Sequence, residues 1–147
     1  MRQIKYIAVH CTAGSQKQSI EDLRAEFRRK GWKKPGYHFV VKPDGGIVQM
    51  LDEEEVSNGV KGYNSVIINV AYIGGIDAQG KATDNRTEAQ KQSLENLLRI
   101  LRGKYTKAVI QGHRDFSTDL NGNGKIEKCE WIKACPCFDA KEEYAHI

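Results

Sequence analysis

Between Val66 and Ile73 the chain carries a near-continuous apolar run, closed by Gly74-Gly75. An apolar run of this length, rich in β-branched side chains and bounded by glycine, must be covered on both faces, which suits a central strand in a sheet packed between helices. The remainder of the chain supplies the neighbours such a strand needs. Ile4 to His10 is a short β-rich run that ends at His10. From Ser19 onward Ile20, Leu23 and Phe27 recur at helical spacing, with Ser19 and Asp22 placed as a capping box and Gly31 as a stop. His38-Phe39-Val40-Val41-Lys42, Pro43-Asp44-Gly45-Gly46 and Ile47-Val48-Gln49-Met50 read in order as strand, turn and strand of a hairpin. Thr87 and Gln90 open a second helix whose Leu94, Leu97, Leu98 and Leu101 line one face before Gly103, and Ala108-Val109-Ile110 is a last strand running into Gly112-His113. No repeat, linker or low-complexity tract interrupts this alternation. It predicts a single α/β domain over 1–147, with a central mixed β-sheet flanked by α-helices.

Charge and cysteine content then narrow the setting. A chain of 147 residues is long enough to bury roughly two thirds of its unfolded surface without disulfides. The net charge of +4 is mild, and Arg28-Arg29-Lys30 reads as the end of a helix rather than a basic patch, so no nucleic-acid partner is expected. No stretch approaches the roughly 20 apolar residues of a membrane span, so no membrane association is expected either. Met1-Arg2-Gln3-Ile4-Lys5 has no apolar core behind its basic residues, which predicts cytoplasmic synthesis without a signal peptide. In a reducing compartment Cys11, Cys129, Cys135 and Cys137 are expected in metal or free-thiol roles rather than in disulfides.

The chemistry concentrates in three places: His10, Gly112-His113-Arg114-Asp115, and Lys133-Ala134-Cys135-Pro136-Cys137. Neutral imidazole and thiolate are the ligands zinc prefers, and two histidines with one cysteine leave a tetrahedral position open, as catalytic zinc requires. Each candidate ligand ends an apolar run, where a strand would deliver it to a zinc cleft at one edge of the sheet. Lys133 stands two residues before Cys135, the spacing that shares a face in an extended chain. Cys135 and Cys137 compete for the metal; Pro136 turns the chain between them, and spacing alone does not choose. Cys11 and Cys129 read as small buried hydrophobes, His38 as a structural residue of the hairpin, and His146 as a solvated residue of the tail. The set reads as a zinc hydrolase.

These residues resemble the zinc-dependent N-acetylmuramoyl-L-alanine amidases of the type-2 group, which includes small phage lysozymes with amidase activity and the peptidoglycan recognition proteins. The likeness to the phage branch is carried by His10-Cys11-Thr12-Ala13, Gly36-Tyr37-His38-Phe39 with Asp44-Gly45, Lys61-Gly62-Tyr63-Asn64, Gly74-Gly75-Ile76-Asp77, Gly112-His113-Arg114-Asp115 and Lys133-Ala134-Cys135-Pro136. The resemblance implies that His10, His113 and Cys135 bind one zinc, selecting Cys135 over Cys137, and that Tyr37 and Lys133 are the catalytic pair. An ammonium and a phenol hydroxyl suit that role, because attack on an amide carbonyl develops an oxyanion that a charge and a donor stabilise. A thiolate ligand offsets part of zinc's charge and so leaves more of the work to Lys133. The implied substrate is peptidoglycan, the implied activity cell-wall lysis by a monomeric phage or prophage endolysin. A peptidoglycan-binding module without catalysis is the competing reading, and Cys135 argues against it.

Two departures stand out. Where the family often has a histidine just before the lysine-glycine pair, this chain has Asn58-Gly59-Val60. The interval from His113 to Cys135 is long for the phage branch and holds an inserted Asn/Gly-rich loop at about 116–130. Within it Asp119, Asn121, Asn123, the Lys125 carbonyl and Glu130 fall at the spacing of a calcium loop, with Gly124 at its sixth position. Without a bracing helix, Ca2+ is expected to bind weakly at this loop, if it is more than a surface turn.

Overall fold

The computed structural model describes residues 2–131 and 133–147, and Cys129 by its backbone alone; the expectation for the Cys129 side chain lies outside the described residues. In chain order the elements are β1 (Tyr6–Cys11), α1 (Ile20–Arg29), β2 (Phe39–Val41), β3 (Ile47–Gln49), β4 (Ile67–Tyr72), α2 (Glu88–Lys104), β5 (Val109–Gly112) and α3 (Ala140–Glu143). The strands form one sheet in the order β3-β2-β4-β1-β5. Only the β2–β3 hairpin is antiparallel; β2, β4, β1 and β5 run parallel. The apolar run is β4, central and buried at every residue. A strand covered on both faces needs this continuous apolar composition.

Alternation along the strands assigns the two faces. Ile7, Val9 and Cys11 of β1 and Ile68, Val70 and Tyr72 of β4 share a core with Leu94, Leu97, Leu98 and Leu101 of α2. The opposite face packs Ala8 and Ile67 against Val60 and Phe116, and Ile73 with Val40 against Leu23 and Phe27 of α1. His10 and Asn69 lie on this second face, two residues along from Ala8 and Ile67, in a register that pairs Ala8 with Asn69 and His10 with Ala71. The capping box read from sequence, Ser19 with Asp22, closes the start of α1, and Thr87 with Gln90, read as the opening of α2, closes that helix in the same way. Arg28 and Arg29 occupy the last turn of α1, and Gly31 follows with φ of 76°, a left-handed conformation that glycine takes without steric cost. Gly103, in contrast, lies inside α2: the amide of Tyr105 still bonds the Leu101 carbonyl at 2.8 Å, so the helix outlasts the glycine. Among the described residues no helix is long and apolar enough to cross a membrane.

Candidate metal centre

The parallel strands deliver the two histidines from adjacent positions. His10 is the penultimate residue of β1, and His113 follows β5 directly and opens a 3-10 turn over His113–Phe116. Cys135 differs from the expectation that each ligand ends a strand: it lies in irregular chain beyond a 3-10 turn at Lys128–Glu130. Pro136 removes an amide donor there, so the segment is held by contacts to other elements instead. The Arg114 amide donates to the Cys135 carbonyl at 3.0 Å, and the Tyr72 hydroxyl to the Pro136 carbonyl at 2.7 Å. The Cys11 amide donates to Cys135 Sγ at 3.1 Å. Gly112 makes room for this segment, since a Cβ there would stand 2.6 Å from Pro136 Cδ.

One ligand atom each from His10, His113 and Cys135 lies within 4.8 Å of the others, and all three residues are buried. Cys137 is outside this group; its Sγ sits 3.9 Å from Cys11 Sγ and donates to the Gly75 carbonyl at 3.5 Å. Burial, followed by the nearby charge of Lys133, pushes His10 down to about 4, against a supporting bond to Asn69. Burial, then His10 and Lys133, push His113 down to about 3. Both imidazoles are therefore neutral near pH 7, the form that ligates a metal. His10 Nε2 is 2.7 Å from Asn69 Oδ1, which leaves Nδ1 for a metal. Two neutral ring nitrogens and a sulfur, gathered in a pocket that opens on one side, are a donor set that fits zinc.

Tyr37 and Lys133 line the same cleft, a cavity of about 120 Å³ that also takes in Glu26, Phe27, Trp32 and Gly59. The Tyr37 ring centroid is 5.2 Å from that of His10, and its hydroxyl donates to the Cys11 carbonyl at 3.4 Å. Burial, with the Cys135 and Cys11 thiols, pushes the phenol well above its ordinary range, so it remains a protonated donor. Lys133 is exposed at the cleft and its charge reaches both histidines.

The other sequence candidates fall elsewhere. His38 is buried, accepts the Asn69 amide at Nδ1 over 3.0 Å and bonds the Glu55 carbonyl through Nε2 over 2.8 Å. His146 is exposed, with Nε2 3.0 Å from Glu95 Oε1. In the Asn/Gly-rich loop, Asp119 accepts from the amides of Gly122 at 3.0 Å and Gly124 at 2.7 Å, Asn121 from Asn123 at 3.2 Å, and Asn123 from Lys125 at 2.9 Å. Glu130 is buried and accepts from the amides of Leu120, Asn121 and Glu127. The residue that sequence reading passed over is Asn69. Its signal was present, since it is the one polar side chain in the central apolar run, and a buried amide needs partners.

The family described as N-acetylmuramoyl-L-alanine amidase matches residues 1–129, a span that ends before Lys133 and Cys135. An endolysin of Escherichia phage T7 is 39% identical over 137 residues, covering 92% of this chain and 82% of the relative. An endolysin of Klebsiella phage KP32 is 36% identical over 142 residues, covering 95% of this chain and 85% of the relative. Among solved structures, the Ph2119 endolysin of a Thermus scotoductus bacteriophage superposes with a TM-score of 0.74 at 26% identity, covering 99% of this chain and 85% of that one.

Proposed function

Because the chain belongs to the N-acetylmuramoyl-L-alanine amidase family, we propose that it is a zinc-dependent lysin that hydrolyses the amide between N-acetylmuramic acid and L-alanine in peptidoglycan. The observation that carries this reading is the buried group of His10, His113 and Cys135, with ligand atoms within 4.8 Å of one another, in a cleft also lined by Tyr37 and Lys133. The phage endolysins among its relatives support a protein made in the cytoplasm that acts on the cell wall. Calcium has no part in the proposed activity.

In this reading His10, His113 and Cys135 hold the metal. Zinc bound there supplies Lewis acidity toward the amide carbonyl and lowers the pKa of water to about 7, which provides a nucleophile near neutral pH. Tyr37 donates its hydroxyl proton as a hydrogen bond to the oxygen that gains negative charge, and Lys133 neutralises that charge from the cleft mouth. Mass spectrometry of peptidoglycan digested by the purified protein tests the proposal. Stem peptides with a new free L-alanine amino group, and glycan that retains its lactyl ether, are expected. Cleavage at a sugar linkage or inside the peptide would overturn it.

A further inference from the structure

A chain of buried hydrogen bonds runs from His10 away from the cleft, through Asn69, Ser57 and His38, to the backbone carbonyl of Glu55. His10 Nε2 is 2.7 Å from Asn69 Oδ1, Asn69 Nδ2 is 2.6 Å from Ser57 Oγ, Ser57 Oγ is 3.3 Å from His38 Nδ1, and His38 Nε2 is 2.8 Å from the Glu55 oxygen. His10, Asn69, Ser57 and His38 are all buried, each at most 1% exposed.

Two backbone groups set the direction of every bond in this chain. A carbonyl can only accept, so His38 Nε2 carries the hydrogen it gives to Glu55 at 2.8 Å; the Arg2 guanidinium, 3.2 Å from the same nitrogen, can only donate and gives its hydrogen to the Glu53 carbonyl at 2.6 Å instead. An amide can only donate, and the Asn69 amide reaches His38 Nδ1 at 3.0 Å, so that nitrogen is the acceptor. Both demands name the same neutral tautomer, and burial holds His38 below its usual range in keeping with it. Ser57 Oγ, 3.3 Å away, shares the His38 Nδ1 lone pair with the Asn69 amide as a second, longer donor, and accepts from Asn69 Nδ2. That fixes the amide with Oδ1 toward His10, where an oxygen can only accept. His10 is left with its hydrogen on Nε2 and a lone pair on Nδ1.

We propose that Asn69 is a positioning residue that holds His10 in the tautomer whose Nδ1 ligates the metal, its own orientation being dictated through Ser57 and His38 by the Glu55 carbonyl. Gly59 is part of the device. A Cβ at that position would stand 2.3 Å from Asn69 Cγ and 2.4 Å from its Oδ1, so a side chain there would displace the amide. This is the stretch, Asn58-Gly59-Val60, in which the type-2 pattern leads one to expect a histidine. The chain leaves the space empty at 59 and fills it from β4.

The inference rests on His10 being a metal ligand, and two measurements separate its failure from the failure of that reading. The first needs no variant. Nitrogen-15 imidazole correlation spectra of the metal-free wild type should assign His10 as the Nε2–H tautomer; an Nδ1–H tautomer overturns the proposal. The second is zinc affinity by chelator competition. Asn69→Leu, close in volume but without an acceptor, should bind zinc roughly tenfold to a hundredfold more weakly, the usual cost of losing such a partner. Asn69→Asp keeps an acceptor facing His10 and should retain most of the affinity. Equal affinity in wild type and a folded Asn69→Leu leaves the residue merely structural and defeats the inference, while undiminished zinc in His10→Ala defeats the metal reading itself.

Discussion

Cys135 and Cys137 sit two residues apart with opposite surroundings, and that contrast gives a sharp test at the level of single side chains. Cys135 Sγ is grouped with the two histidines, whereas Cys137 Sγ lies 3.9 Å from Cys11 Sγ and donates to the Gly75 carbonyl. Cys135→Ser should therefore lose about one zinc per chain, and Cys137→Ser should keep it, as measured by metal analysis of the purified proteins. The reverse pattern would move the ligand to Cys137. Tyr37 and Lys133 line the cleft without being among the grouped donors. Tyr37→Phe and Lys133→Ala should each bind zinc normally while turnover on peptidoglycan falls on the order of a hundredfold or more, the scale of an oxyanion donor. Lys133→Arg should recover only part of this, because a planar guanidinium does not replace a compact ammonium. Near-wild-type turnover in both primary variants would strip the pair of its role.

Among the elements, α3 is the shortest helix, and a single buried arginine fastens it. Arg86 donates to Asp84 at 2.8 and 2.9 Å and to Glu143 of α3 at 2.7 and 3.0 Å. Its guanidinium carbon lies 3.4 Å from the centroid of Phe138. Its side chain is 2% exposed, whereas those of Asp84 and Glu143 are 30% and 43% exposed, so removing the cation strands two carboxylates that water can still reach. Arg86→Met is expected to cost about 2 kcal/mol in chemical denaturation, the scale of hydrogen bonds to charged groups rather than of a fully buried ion pair. A loss below a few tenths would mean that α3 is held by its apolar contacts alone. The same element bears on the site, because Phe138 and Tyr144 join Cys135 in the core beneath α2.

At the scale of the whole molecule, the metal centre couples folding to pH. His10 and His113 are buried and neutral, at about 4 and about 3 in the folded chain, against about 6.5 when unfolded. As pH falls below 6.5 the unfolded chain takes up protons that the folded chain refuses until near 4 and 3. The stability these two residues contribute is therefore complete above pH 6.5 and is lost as pH drops through that window. With zinc removed by a chelator, the melting temperature of wild type should fall more steeply between pH 7 and 4.5 than that of the His10→Gln, His113→Gln double variant. Parallel slopes would show that acid destabilisation arises elsewhere.

Much of this was legible in the residues themselves. A strand buried on both faces has to be apolar throughout, so β4 announced its central place, and the capping residues marked both long helices because their side chains bond neighbours three residues away. His10 and His113 stood out by chemistry, and the family likeness chose Cys135. Contacts between residues far apart in the chain were not legible. Spacing left Cys135 and Cys137 equivalent until Arg114, Tyr72 and Cys11 fastened the segment from outside it. Gly103 read as a stop because local propensity disfavours it, yet the helix ran one residue past it with its hydrogen bonding intact. Sequence by itself determined which residue types were available to bind a metal and which segments had to be buried. Only the tertiary structure decided which ring nitrogen of His10 is free, because that depends on a carbonyl at residue 55 reached through three side chains that no local pattern brings together.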